Sequence, residues 1–172
     1  MNKLIYPART LGDDFVKDAL CAVATLQDFD LTKDISLLVG GVAVQSYLPD
    51  SLRRPTADLD FAVLKPLNYE GFRQFSSLPR EYLRDHGYSV EMRKKSSAYH
   101  LCFSKEGVAC VIEFARRNDK SFASIEELLK REFDHSRVKL IEGRNVTCRV
   151  SSPEDIVVPK LVRGIGSLRR NP

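Results

Sequence analysis

The chain has 172 residues, with 27 Lys and Arg, 23 Asp and Glu, and 43% hydrophobic residues. This length suits one domain, and the composition excludes a disordered or low-complexity protein. No run reaches the roughly 18 apolar residues of a membrane span, and residues 1–14 lack the apolar region of a secretory signal. We therefore expect one cytoplasmic domain over residues 1–172, with no membrane partner.

The first part of the chain predicts two helices and two strands. Residues 13–29 carry apolar side chains at helical spacing, and residues 36–39 form a short apolar run that reads as a buried strand. A short helix is predicted over residues 41–48 and a polar loop over residues 50–57. Residues 58–64 alternate at first and then become wholly apolar, which is typical of a central strand.

The middle of the chain predicts one broken helix and three strands. Residues 68–86 favour a helix that breaks near Pro79. Strands are expected over residues 88–94, 99–104 and 108–114, with polar turns between them.

The last part predicts a helix, a hairpin and a final helix. Residues 124–134 open with Ser and Glu at the spacing of a capping box. Residues 138–141 and 146–150 read as a hairpin, and residues 152–155 begin the final helix with an early Pro and two acids. Strands and helices in this mixed order indicate an α/β or α+β domain with a mixed sheet, without repeats or linkers.

Two aspartates are separated by one residue on a predicted strand. Because strand side chains alternate, Asp58 and Asp60 point to one face and Leu59 to the other. Two carboxylates held this close repel each other, and Mg²⁺ would relieve the repulsion. The alternative is an exposed strand end with two ordinary acids.

Two further features stand near these aspartates in the predicted order of elements. Gly40 and Gly41 end one strand and begin a helix, where missing side chains let a phosphate approach backbone N–H groups. A tight strand-to-helix turn is the alternative. Glu113 lies between apolar residues of another strand, and burying it is costly unless it is paired or metal-bound. The alternative for Glu113 is an edge-strand acid facing water.

Cysteines and histidines predict neither a disulfide framework nor a zinc site. The cysteines form no C-x-x-C pair and each lies among apolar residues, while the histidines are scattered and suggest no nucleophile pair. The residues concerned are Cys21, Cys102, Cys110, Cys148, His86, His100 and His135. The chain also lacks the phosphate-loop, dinucleotide-binding and nucleophile-elbow motifs.

Basic charge is concentrated in the last third of the chain. Residues 1–115 carry 14 basic and 15 acidic side chains, whereas residues 116–172 carry 13 basic and 8 acidic ones. Such asymmetry fits an anionic partner such as a nucleotide or a nucleic acid. A solvated basic surface is the alternative.

The chain carries a pattern of three parts: Gly-Gly at a strand end, then a short helix, and then Arg-x-Thr-x-Asp-x-Asp followed by an apolar residue. This pattern resembles the polymerase-β-type nucleotidyltransferase superfamily, and within it the abortive-infection-type toxin nucleotidyltransferases. The resemblance covers residues 36–64 and 153–170. It implies a nucleotidyltransferase-like mixed β-sheet flanked by helices and an enzyme that moves an NMP group from an NTP.

The resemblance also implies roles for particular residues. Asp58, Asp60 and Glu113 would be the catalytic acids and would hold two Mg²⁺ ions, or Mn²⁺ in their place. The nucleotide would be held by five residues in two blocks of the chain. These are Gly40, Gly41, Arg54, Thr56 and Lys160. From the residues alone, Thr56 equally caps the strand entry, and the Arg53–Arg54 pair could be merely solvated.

The acceptor is left open by the resemblance. Family members act on RNA such as tRNA, on protein hydroxyls or on small molecules, and toxin members are held by an antitoxin protein. Compared with the family pattern, residues 153–172 end before a Lys-Asp pair and a further acidic helix, so we expect the C-terminal helical extension to be lacking. A non-catalytic nucleotide- or RNA-binding module that retains the fold is the alternative function.

Overall fold

The structure is a computed structural model that describes six stretches of the chain. These are residues 13–26, 36–52, 58–96, 98–115, 126–141 and 144–158. The helices are α1 (Asp13–Ala24), α2 (Gly40–Gln45), α3 (Tyr69–Phe75), α4 (Ser77–Asp85) and α5 (Glu126–Asp134), with a 3₁₀ turn over Asp50–Leu52 and a helical segment over residues 153–158. The strands are β1 (Ser36–Val39), β2 (Asp58–Val63), β3 (Ser89–Lys94), β4 (Ala98–Lys105), β5 (Val108–Ala115), β6 (Arg137–Leu140) and β7 (Thr147–Val150).

The strands of the described residues form one mixed sheet in the order β3-β4-β5-β2-β1-β7-β6. Strand β2 runs parallel to β5 and β1 runs parallel to β7, while the other neighbours are antiparallel. The predicted mixed sheet flanked by helices is therefore confirmed. None of the helices in these stretches is long and apolar enough to cross a membrane.

One face of the sheet, the core face, is covered by α1 to α4. Leu59 and Phe61 of β2 and Ile112 and Phe114 of β5 point to it and are fully buried. These side chains form one apolar cluster with buried residues of α1, α2, α3 and α4. Burial on this scale is the main stabilising contribution to the fold.

The opposite face, the carboxylate face, bears Asp58 and Asp60 of β2. Helix α5 covers part of this face, where Leu129 packs with Leu37 and Ala62 in a second, smaller cluster. The carboxylate face is thus apolar beside α5 and polar farther along the same strand. The acids of β2 therefore lie next to the apolar cluster of Leu37, Ala62 and Leu129.

The predicted helix break near Pro79 is wrong in position. The chain turns at Ser76, between α3 and α4, and Pro79 lies in the first turn of α4. A proline is tolerated there because the first N–H groups of a helix have no partner within the helix. Pro79 therefore starts a helix and does not interrupt one.

Two predicted helix ends are also corrected. Helix α1 ends at Ala24, earlier than predicted, and the Thr25 hydroxyl donates to the carbonyl of Ala22 at 2.6 Å. Helix α2 begins one residue earlier, at Gly40, and ends at Gln45; the Ser46 hydroxyl donates to the carbonyl of Ala43 at 2.7 Å. In both helices a side-chain hydroxyl donates a hydrogen bond to a carbonyl of the last turn. This bond supplies the partner that the helix lacks there.

The final helix begins where the sequence predicts. The backbone N–H of Asp155 donates to Ser152 Oγ at 3.2 Å, which is the bond of an N-cap. The predicted capping residue Ser124 and the remainder of the final helix, residues 159–170, lie outside the described residues.

Candidate active site

Strand β2 presents its two aspartates on one face. Asp58 is exposed and Asp60 is half-buried, while Leu59 between them is 0% exposed. The predicted alternation is therefore confirmed. Both carboxylates lie at the start of the strand, on its solvent-accessible side.

The third acid lies directly beside Asp60. Strands β2 and β5 are parallel neighbours, and their register pairs Asp60 with Glu113 and Asp58 with Val111. Neighbouring strands are about 4.8 Å apart, and paired residues point to the same face. The fold thus brings together Asp58, Asp60 and Glu113 on the carboxylate face.

Gly40 leaves the space that the Asp60 carboxylate occupies. Strand β1 pairs Val39 with Asp60, and Gly40 follows with a φ of +72°. A Cβ atom on Gly40 would lie 1.9 Å from Asp60 Oδ2, far inside van der Waals contact. Gly41 comes next, in the first turn of α2. Glycine at position 40 is therefore required by both the backbone and the neighbouring acid, a role that the sequence did not reveal.

A histidine contacts the third acid. Strand β4 pairs His100 with Glu113, and His100 Nε2 lies 2.9 Å from Glu113 Oε2. The His100 side chain is 17% exposed and that of Glu113 is 41% exposed. Sequence reasoning treated His100 as one of three scattered histidines. The signal that could have found it is the turn at Glu106–Gly107, because counting residues back from a two-residue hairpin turn places His100 opposite Glu113.

The row continues to the next strand. Strand β3 pairs Arg93 with His100, and Arg93 Nη2 donates to Glu91 Oε2 at 2.7 Å. Across the sheet, the carboxylate face therefore carries Asp60, Glu113, His100 and Arg93 in register. A cation at one end and acids at the other give this row a directional charge pattern.

Two buried carboxylates elsewhere have structural partners. Asp18 accepts hydrogen bonds from the Tyr88 hydroxyl at 2.6 Å and from Arg144 at 2.8 Å. Burial, and then the bond to Asp18, raise the pKa of Tyr88, so that this hydroxyl remains a donor. Asp155 is paired with Arg131. These two acids hold elements of the fold together.

The remaining residues that the sequence assigns to the nucleotide cannot be placed in this geometry. Arg54, Thr56 and Lys160 lie outside the described residues. Their assignment stays a prediction.

The three acids fit a divalent metal by their chemistry and by their strand positions, since Mg²⁺ prefers carboxylate oxygens. As the side chains stand, the described stretches contain no group of three or more His, Cys, Asp or Glu that could hold an ion. Glu113 contacts His100, and Asp60 lies against Gly40. A metal held by all three acids requires the aspartate side chains to turn toward Glu113, while the backbone already places Asp58, Asp60 and Glu113 on one face of the sheet.

The cysteines are free thiols and do not extend this donor set. Cys21, Cys110 and Cys148 are buried, and Cys102 is half-buried. Burial, with a smaller contribution from the nearby charge of Asp58, raises the pKa of the Cys110 thiol to about 12. Because only a thiolate is a good metal ligand or nucleophile, Cys110 acts as a small apolar residue.

Similar proteins were found by structure and not by sequence. No protein-family model matches the chain, and no functionally curated protein matches it. An antigenic nucleotidyltransferase-like protein from Paracoccidioides brasiliensis is similar to the chain with a TM-score of 0.54 and 18% identity, over 87% of this chain and 66% of that one. The fold is nucleotidyltransferase-like.

A second similar structure is a cytoplasmic RNA terminal U-transferase, with a TM-score of 0.36 and 15% identity over 69% of this chain and 34% of that one. The chain thus spans about two thirds of the first protein's length and about one third of the second's.

Proposed function

We propose that this protein is a metal-dependent nucleotidyltransferase that moves an NMP group from an NTP to a hydroxyl of an acceptor. The observation that carries the proposal is that β2 and β5 present three carboxylates on one face of the sheet, beside the glycine that makes room for one of them. The nucleotidyltransferase-like fold supports it. Like-charged carboxylates on adjacent strands repel each other, and a divalent cation relieves that repulsion.

Asp58, Asp60 and Glu113 would hold the metal. When bound, two Mg²⁺ ions supply a lowered pKa for the attacking hydroxyl and neutralise charge on the departing pyrophosphate. Mn²⁺ has the same preference for oxygen ligands. Glu113 Oε2 is taken by His100, which leaves Oε1 for this role.

The transfer needs one bond to form and one to break. The acceptor oxygen bonds to the α-phosphorus of the NTP, the bond from that phosphorus to the bridging oxygen breaks, and pyrophosphate leaves. In our proposal the proton of the hydroxyl passes to water, since Oε1 of Glu113 is kept for the metal. Gly40 and Gly41 leave the triphosphate side free of side chains, and Arg54, Thr56 and Lys160 neutralise or orient its phosphates.

We further propose RNA as the acceptor, ahead of a protein hydroxyl or a small molecule. The support is the basic excess of residues 116–172, which lies in residues 116–125 and 159–172. The described residues from 126 to 158 carry six basic and six acidic side chains, so that stretch contributes none of the excess. An abortive-infection-type toxin held by an antitoxin protein is the biological setting that the resemblance proposes.

A non-catalytic nucleotide- or RNA-binding module is the second candidate. The observation that favours it is that the three acids do not converge on one point as the side chains stand. The two candidates differ in one measurable property, which is the release of pyrophosphate.

The experiment is incubation of the full chain with Mg²⁺ and each α-labelled NTP in the presence of tRNA, a protein mixture or small hydroxyl compounds. Label on an acceptor together with pyrophosphate is expected for the wild type and not for Asp58→Asn/Asp60→Asn. The matched control is Asp85→Asn/Asp134→Asn, which makes the same chemical change at exposed helix positions. Metal-dependent binding of NTP without any pyrophosphate would support the binding module instead.

A further inference from the structure

We propose that His100 is a positioning residue for Glu113, holding one carboxylate oxygen so that the other is presented to the metal. The inference rests on the proposed function, and it assigns a role to a residue outside the acids and glycines of the motif. Its basis is the contact of 2.9 Å between His100 Nε2 and Glu113 Oε2, made between residues in direct cross-strand register.

The direction of the hydrogen bond follows from the chemistry of the two groups. An ionised carboxylate only accepts hydrogen bonds, so Nε2 of His100 carries the proton and donates it to Glu113. Oε2 is thereby fixed, and Oε1 keeps its lone pairs. A ligating carboxylate that is itself hydrogen-bonded is the usual arrangement around protein metal sites.

Glu113 needs such a partner more than an aspartate would. Its side chain has one more methylene and one more rotatable bond, and 41% of it is exposed to solvent. Free rotation would spread its carboxylate over many positions, which lowers the affinity of any site that needs one of them. His100 lies on β4, which is paired with β3 on one side and β5 on the other, and only 17% of its side chain is exposed, so it is the more rigid member of the pair.

Arg93 stands on the far side of His100 and is engaged elsewhere. It pairs in register with His100 and donates to Glu91 at 2.7 Å. The fold therefore puts the imidazole of His100, and not the guanidinium of Arg93, next to the metal-binding acid. A hydrogen-bond donor without an obligatory charge orients Glu113 while leaving its negative charge for a metal.

The test is a titration of Mn²⁺ alone into the full chain. Binding is measured by the electron paramagnetic resonance signal of the Mn²⁺ that remains free. We expect His100→Phe, which keeps a ring but removes the donor, to raise the Kd for Mn²⁺ by about 10–100-fold. We expect His100→Gln, whose amide nitrogen can replace Nε2, to stay within about threefold of the wild type. The matched control is His86→Phe, at an exposed position on the core side of the chain.

A second donor-free variant keeps the test decisive if the phenylalanine disturbs folding. His100→Leu has a smaller apolar side chain without a hydrogen-bond donor, and it is expected to weaken Mn²⁺ binding as His100→Phe does. Unchanged or tighter binding in both donor-free variants would overturn the role of His100. Equal binding by wild type and Asp60→Asn, or no binding by wild type, would instead remove the proposed metal site itself, and the role of His100 with it.

Discussion

Strands β2 and β5 present different side chains on their two faces, although each strand is a single stretch of backbone. On the core face, Leu59, Phe61 and Phe114 are buried against helices. On the carboxylate face, the intervening residues Asp60 and Glu113 are acids that reach solvent. Along each strand, residues that stabilise the core alternate with residues of the candidate site. Stability and chemistry can therefore be changed separately.

This division depends on strand register. A slip of one residue would turn the acids into the core and the phenylalanines into solvent. The β4–β5 hairpin holds the register through a turn in which Glu106 and Gly107 have φ angles of 54° and 79°. Positive φ at both central residues gives the twist that a two-residue hairpin needs.

The largest effect is expected on the carboxylate face. Asp58→Asn/Asp60→Asn should lower the rate of pyrophosphate release by at least about 1000-fold, equal to about 4 kcal/mol of transition-state stabilisation. Its melting temperature should change little, because both substitutions lie outside the core face. Rate and melting temperature are measured on the same preparation, and a large loss of both would contradict the division between the faces.

The next effect belongs to the core face. Phe114 packs its ring against Phe61, Phe72 and Phe75, with centroids 5.7, 5.9 and 5.5 Å away. Phe114→Ala should lower the free energy of unfolding by about 3–5 kcal/mol. Urea titration measures this loss, and Phe114→Leu serves as the smaller change. The folded variant should still bind NTP, although its neighbour Glu113 is a site residue; lost binding with intact stability would argue against the account.

Gly40→Ala should lower both the stability of the fold and the binding of NTP. Its φ of +72° costs a side chain about 1–2 kcal/mol, and the new Cβ displaces the Asp60 carboxylate. Gly107→Ala is the matched control, because it has a φ of +79° but nothing within 4 Å of its Cβ. We expect similar losses of stability in urea from backbone strain and a loss of NTP binding only in Gly40→Ala. Equal NTP binding by both variants would show that Asp60 is not displaced.

The smallest effect is expected at the hairpin turn. Glu106→Asn should raise the free energy of unfolding by about 0.5 kcal/mol, since asparagine tolerates positive φ better than glutamate. NTP binding should be unchanged because the register is kept. Thermal melts detect the gain, and a loss of stability would mean that Glu106 makes a contribution that the turn geometry does not explain.

The sequence was sufficient for most strands because they are short apolar or alternating runs bounded by turn residues. The run 36–39 coincides with β1, and the predicted strand over residues 108–114 differs from β5 by a single residue. Turns and helix ends were less accessible. The interruption assigned to Pro79 lies at Ser76, since a proline in a first turn and a proline that breaks a helix look the same in one dimension.

The site was predictable as a set of residues and not as an arrangement. Alternation alone placed Asp58 and Asp60 on one face, but the pairing of Asp60 with Glu113 depends on β2 and β5 being neighbours, which joins strands about 50 residues apart in the chain. The close approach of Gly40 to the Asp60 carboxylate also needs the folded sheet. His100 is different, because the β4–β5 turn already contains the count that places it opposite Glu113.

The central claim is that the acids of the carboxylate face bind a metal–nucleotide complex. Isothermal titration of each NTP, with and without Mg²⁺, tests it on wild type and on Asp58→Asn/Asp60→Asn. The account predicts NTP binding that needs Mg²⁺ and disappears in the double variant, while the Asp85→Asn/Asp134→Asn control binds as wild type does. NTP binding that survives the loss of both aspartates, or that is the same without Mg²⁺, would contradict the account.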